Sequence, residues 1–562
     1  MTDLDGNFDV IIFGTGLVES IVAAALSKAG VKVAHLDNNP YYGGNEASLN
    51  LDELASWADS RSTSSENPET VFGYLAAQRN KFFSISRSSL IPDHSRHYSI
   101  SLAPSLIPSV GPLISSLIAS GVSRYGGYRL LERVGIYSSG SGLQNVPGSK
   151  EDIFRSSLSL IEKRRLMRFL VFASGEFEGS KELQGYEQTA FPEFLKSKFS
   201  LTHEMMDAIV YALAFCSSDT DSTLFALTRL RSYLRSAGRY GASPFLVGHY
   251  GGLGEIAQGF CRVSAVNGGV YILDKKAKKI TTPSSTSGDK FVVQLDDIPE
   301  PLTADVLVTA PDQIFESLHL PQVQDTPSSL LARCIAIIDK PIPFPPFLSS
   351  GDGSSEGETE WASTTGDEDA DEPSLVPGAP SGAHVEAPPI DTSVIIFPPS
   401  SVNGGSSTKA AQAFITGAGT LSAPQGKYVV YLSVPILDDE DPEPLIEPYL
   451  GAILSLAYAS EPLFKLTYAQ RVSFPPSSTT DQSSISVSPA PPPHLAEISD
   501  FASSAAETLY FRIIDILKLR SPQAWTTESS GGASEGGDVF SELKVPMWPP
   551  LESSREDEGG EE

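Results

Sequence analysis

The 562-residue sequence predicts an α/β fold: a discontinuous FAD/NAD(P)-binding-like (Rossmann-type) domain into which a smaller all-helical domain is inserted. Three observations predict it. The chain opens on an apolar run and a glycine turn, Phe8-Asp9-Val10-Ile11-Ile12-Phe13-Gly14-Thr15-Gly16. Ser149 to Phe225 then carries apolar residues at intervals of three to four, among them Ile153, Leu158, Ile161, Leu166, Phe169 and Leu170, the spacing of one helix face. Strand-like runs return at Gly269 to Leu273, Phe291 to Leu295 and Ala304 to Ala310, so the helical block interrupts a sheet domain.

The first unit reads as strand, turn, helix and strand. Ile21 to Leu26 continues a helical pattern to Gly30, and Val31 to Asp37 makes a second strand ending in an acid. Asp37 follows Gly14 by 23 positions, near the roughly 20-residue offset at which an acid holds a ribose hydroxyl. In a working Gly-x-Gly-x-x-Gly turn the third glycine lets the helix pack closely. Here the third position is Glu19. A pyrophosphate is drawn to the helix N-terminus by the macrodipole, and a carboxylate there competes with it. The turn of Gly14, Gly16 and Glu19 therefore reads as vestigial, with the scaffold retained and no cofactor. A flavin or nicotinamide site that tolerates the glutamate is the alternative.

Further along, Val110 to Gly121 has helical spacing at Leu113, Ile114, Leu117 and Ile118. Strands are expected at Ser393 to Phe397, Lys427 to Val434 and Leu463 to Phe474, and helices at Pro444 to Ala457 and about Ser499 to Lys518. The organisation that follows is 1–148, first part of the dinucleotide-fold domain; 149–243, helical domain; 244–345, second part; 346–390, acidic disordered insertion; 391–474, third part; 475–498, linker; 499–524, C-terminal helix; and 525–562, acidic disordered tail. Val545 to Leu551 is an apolar island in that tail, read as inert.

Composition excludes several classes. A formal charge of −29 opposes nucleic-acid binding, which requires a basic face. Cys216, Cys261 and Cys334 are odd in number and far apart, so neither a disulfide framework nor a metal cluster is expected, and a reducing compartment fits. The N-terminus lacks the basic start and apolar core of a signal peptide, and no stretch offers the roughly 20 apolar residues of a membrane span. A soluble, cytoplasmic protein is expected.

Several blocks resemble one family. They are Phe13-Gly14-Thr15-Gly16-Leu17-Val18-Glu19-Ser20, Leu36 to Asn45, Ser120 to Tyr125, Glu162 to Leu170, Gly238-Arg239-Tyr240-Gly241, Ser243 to Leu246 and Gly254 to Arg262. In this order and spacing they resemble Rab GDP-dissociation inhibitors and Rab escort proteins, from the N-terminus to about residue 273. The resemblance implies a fold related to flavin monooxygenases, no bound flavin, and a helical domain that takes a geranylgeranyl lipid. It places a platform for GDP-bound Rab GTPases on Tyr42, Glu255 and Arg262, and an apolar patch for the Rab C-terminus on Leu113, Leu117 and Ile118. Arginine, carboxylate and tyrosine suit such an interface by charge and area. Two departures stand out: Val270 replaces a frequent threonine, and Tyr250 to Glu255 is one residue longer than usual.

Within this resemblance the length, the acidic insertion and Arg235 to Gly241 point to the escort branch. Escort proteins present unprenylated Rab to the Rab geranylgeranyltransferase alpha/beta heterodimer, which holds the catalytic centre, and touch membranes transiently on delivery. Tyr233 and Arg239 are the implied transferase contacts. A dissociation inhibitor is the nearer alternative and a flavin-dependent oxidoreductase the remoter one, although no convincing catalytic constellation accompanies the turn.

Overall fold

The computed structural model describes residues 6–62, 73–147, 158–283, 289–313, 318, 328–345, 389–436, 440–473, 484–520 and 546–549. Nearly all of the acidic insertion and most of the acidic tail lie outside them.

A five-stranded, all-parallel sheet is gathered from remote parts of the chain, in the order Val270–Leu273, Val33–Asp37, Val10–Phe13, Val306–Thr309, Ile485–Val487. Val10–Phe13 and Val306–Thr309 are buried at every position, as expected of parallel strands covered on both faces. One face packs against three helices, Leu17–Lys28, Leu253–Val266 and Ile498–Arg520, whose apolar stripes share a single core. The last strand is a correction. The Ser/Thr/Pro composition of 475–498 predicts a linker, yet Ile485–Val487 pairs in register with Leu307 to Thr309 and completes the sheet edge. Three residues flanked by turn formers are too short a run to read from periodicity.

An eight-stranded sheet forms the second layer, in the order Phe82–Arg87, Phe464–Ser473, Ser328–Ile338, Tyr428–Ile436, Ala411–Thr416, Ser393–Phe397, Arg133–Ser138, Gly142–Asn145. Its pairs are antiparallel except for Ser393–Phe397 with Arg133–Ser138. Alternation assigns its faces. Ile335 and Ile337 look toward the helical region, whereas Cys334, Ala336 and Ile338 look toward the helix Pro442–Leu456.

The helical region is bounded by Leu160–Ser174 and Thr223–Ser236. The first starts at a capping box in which Ser159 and Glu162 satisfy each other's backbone amides. Between the two helices the chain makes short helical segments that carry Phe191, Phe194 and Phe199 inward, where Phe191 and Phe199 meet Phe169 and Phe194 packs on Phe199.

Candidate functional site

Three features adjoin one another around the Leu17–Lys28 and Leu253–Val266 helices: the glycine turn, a half-exposed platform and an apolar groove.

At the turn, Gly14 adopts φ +98, and a Cβ there would stand 2.7 Å from Ala310 Cβ, which explains why only glycine suits it. The neighbouring space is filled by carboxylates. A Cβ on Gly16 would meet Glu19 Oε2 at 2.5 Å and Glu46 Oε2 at 2.9 Å, so both acids converge where a pyrophosphate would approach the backbone. Glu46 also accepts a hydrogen bond from the Leu17 amide at 3.2 Å, one of the helix N-terminal donors that otherwise serve phosphate. Glu19 is buried and accepts a hydrogen bond from Ser488 Oγ. Burial pushes its carboxyl up to about 8, and Glu46 adds to the effect. Asp37 accepts from Thr15 N and Oγ1 at 2.7 Å each, Asn39 N at 2.8 Å, Asn39 Nδ2 at 2.9 Å and Gln313 Nε2 at 3.3 Å. Those donors use the capacity of a carboxylate and leave no acceptor for a ribose. The cavity that remains, lined in part by Gly16, Glu19, Glu46, Tyr74 and Pro489, measures about 30 Å³, room for a few waters. The residues present do not fit a dinucleotide. Sequence reasoning missed Glu46 and Ser488, which lie 27 and 469 positions from Glu19.

The platform stands on the outer face of Leu253–Val266. Gly254 allows its position: a Cβ there would lie 2.4 Å from the Ser48 amide nitrogen, so the helix start presses directly on the segment that follows Tyr42. Gly254→Ala is expected to lower stability by about 2 kcal/mol through overpacking against backbone, a loss that thermal denaturation would register. Tyr42 is half-buried and set edge-on to Tyr271, with ring centres 5.8 Å apart. Glu255, in the first turn of the helix, is half-buried, and burial raises its carboxyl. Arg262 is exposed and lies over the ring of Tyr125 at 4.5 Å; among the described residues no carboxylate pairs with it. Tyr250, Gly251 and Gly252 take φ values of +52, +82 and +88, a tight turn immediately before the helix. Val270 begins the sheet's edge strand, half-buried.

The groove runs beside the helix Pro112–Ser120. Ile114, Leu117, Ile118, Ser123, Tyr128, Leu130, Tyr240 and Leu246 enclose about 340 Å³. Ile118 is 45% exposed and Tyr240 49%, whereas Tyr128 forms a half-buried part of the wall and feels the charge of Glu255. Groove and platform are therefore neighbours. Leu113 and Leu117 require a correction: they are 0% and 1% exposed and belong to the core, so Leu113 does not line the groove, Leu117 and Ile114 form only its buried floor, and Ile118 alone of the predicted patch reaches solvent. Helical spacing names a stripe but not its edge toward solvent.

Tyr233 requires a second correction. It is 4% exposed and packs on Phe245 and Phe215, with ring centres 4.8 and 6.0 Å away, so it cannot anchor a docking partner from the surface. Arg239 is exposed and lies over Tyr240 at 5.3 Å. The cysteines are free and buried, with burial pushing Cys261 and Cys334 up to about 12. Among the described residues no group of acids, histidines and cysteines could hold a metal, and no helix is long and apolar enough to cross a membrane.

Fold and site together define a protein of the dinucleotide-binding α/β class whose turn is filled by its own carboxylates and whose adjoining surface offers a charged platform and an apolar groove. A Rab GDI from Plasmodium falciparum superposes with a TM-score of 0.57 at 22% identity, covering 91% of this chain and 98% of that one. An oxidoreductase from Methanosarcina mazei follows at 0.52 and 15%, covering 89% and 99%; both likenesses concern the fold. The pattern of the GDP dissociation inhibitor family matches residues 4–349, and the chain belongs to that family. Relatives include "Rab proteins geranylgeranyltransferase component A" of Saccharomyces cerevisiae, 30% identical over 432 residues, 76% of this chain and 61% of the relative. "Rab escort protein 1" of Arabidopsis thaliana is 31% identical over 322 residues, covering 51% and 57%. The chain thus spans about 60% of the length of these curated relatives.

Proposed function

We propose that this chain is a Rab escort protein. It binds unprenylated, GDP-bound Rab GTPases, presents them to the Rab geranylgeranyltransferase alpha/beta heterodimer, and delivers the prenylated product to membranes. The observation that carries the reading is the pairing of an exposed arginine that has no carboxylate partner among the described residues and a half-buried carboxylate with an apolar groove next to them. A folded GTPase bearing a flexible C-terminal tail requires both kinds of surface at once.

In this reading the chain makes and breaks no bond, and acts as the non-catalytic component A subunit. Tyr42, Glu255 and Arg262 grip the GTPase, the groove at Ile118 and Tyr240 holds its tail, and Arg239 contributes to the transferase contact. The geranylgeranyl chain is sheltered by the helical domain, where burial contributes roughly 0.8 kcal/mol per methylene. The protein works from the cytosol and meets membranes only transiently.

The test combines the purified chain with an unprenylated, GDP-loaded Rab, the two-subunit transferase and labelled geranylgeranyl diphosphate. Lipid transfer to the Rab that depends on the chain is the expected result. Extraction of prenylated Rab from membranes without such transfer would instead mark a dissociation inhibitor, and neither activity would overturn the reading.

A further inference from the structure

The sequence reads Val545 to Leu551 as an inert island in an acidic tail, and the structure corrects that reading. Pro546–Pro549 lies against the body of the protein, while 521–545 and 550–562 on either side fall outside the described residues. Met547 is 6% exposed and belongs to the core that the Leu17–Lys28, Leu253–Val266 and Ile498–Arg520 helices share. Trp548 stacks on Phe260, with ring centres 6.0 Å apart and 28° between planes. Tyr510, fully buried on the C-terminal helix, donates its hydroxyl proton to the Pro546 carbonyl at 3.3 Å.

We propose that Pro546–Pro549 is a latch in cis: a short peptide, tethered by 521–545, that occupies an apolar site between the platform helix and the C-terminal helix and clamps the two together. Several features fit a docked peptide better than an ordinary part of the core. Among the described residues, two apolar side chains and one hydrogen bond, from the Tyr510 hydroxyl to the Pro546 carbonyl, hold it. The indole Nε1 of Trp548 is buried without an acceptor among the described residues, so its ring is held by packing. Pro546 and Pro549 restrict the backbone of the segment, which lowers the entropy lost on docking.

The consequence concerns the platform. Phe260 lies on the inner face of the same helix whose outer face carries Glu255 and Arg262. A closed latch restrains that helix before any partner arrives, and such preorganisation strengthens binding without a new contact to the partner. This last step rests on the function proposed above, whereas the latch itself does not.

Hydrogen exchange tests the latch with no GTPase present. The full chain is compared with a chain ending at Lys544 and with Trp548→Ala and Trp548→Phe. Truncation and Trp548→Ala are expected to speed exchange about tenfold in residues 256–264 and 505–516, with the eight-stranded sheet unchanged. Trp548→Phe is expected to keep protection, because no hydrogen bond of the indole is lost. A synthetic peptide of residues 543–553, added to the truncated chain, is expected to restore protection, and the same peptide with Met547→Ala and Trp548→Ala is not. Unchanged exchange after truncation would overturn the latch. So would loss of protection throughout the chain, which would make the segment an ordinary part of the fold.

Discussion

Arg262→Ala is expected to weaken the complex with a GDP-bound Rab about 100-fold, roughly 2 to 3 kcal/mol, the range of an interface anchor. The guanidinium is exposed, has no carboxylate partner among the described residues and is held over Tyr125. It is thus preorganised for an acid on the partner, and little side-chain entropy is lost when that acid arrives. Arg262→Lys should fall between, since charge survives while the planar fork and the stacking do not. Glu255→Gln probes the other end of the platform. Calorimetric titration reads the affinities, and thermal melting should barely move, because surface substitutions alter stability little. A change below threefold for Arg262→Ala would remove the platform from the interface.

The second large effect concerns the refilled turn and needs no partner. Glu19 has a folded-state carboxyl raised from 4.5 to about 8 by burial and by Glu46. A raised acid takes up a proton on folding between those values, so its contribution is intact below about pH 4.5 and declines as pH rises through 8. Above that point the native protein holds a buried charge beside a second carboxylate. Glu19→Gln removes it and keeps a group that can hydrogen bond to Ser488. The substitution is expected to be nearly neutral near pH 5 and stabilising by on the order of 3 kcal/mol above pH 8. Melting temperatures of both proteins across pH 5 to 9 would show the curves separating progressively between about pH 5 and 8 and levelling off above; curves parallel throughout would mean that Glu19 is ionised throughout.

The same turn marks the limit of what residues reveal before folding. Glu19 in place of a glycine announces that the pyrophosphate position is contested, because the motif is local and each glycine has a known steric duty. That Glu46 takes the Leu17 amide and Ser488 caps Glu19 is invisible, since no periodicity links a turn to a residue hundreds of positions away. The helix over Pro112–Ser120 follows from spacing, yet spacing does not decide that Leu113 is sealed in the core while Ile118 is 45% exposed. Tyr233 is subject to the same limit: an aromatic near an arginine looks like an anchor until Phe245 and Phe215 are found against it.

Residue order therefore set the α/β class, the interrupted sheet domain, the altered turn and the family blocks, all of which depend on patterns a few residues long. Tertiary packing decided the rest. It drew Ile485–Val487 into the first sheet, laid Met547 and Trp548 on the platform helix's inner side and brought the groove wall at Tyr128 within reach of Glu255's charge. Helix and strand periods report which side of an element is apolar because they arise from the backbone's own repeat. Which distant segment covers that side depends on the shape and charge of surfaces that exist only once the chain has folded.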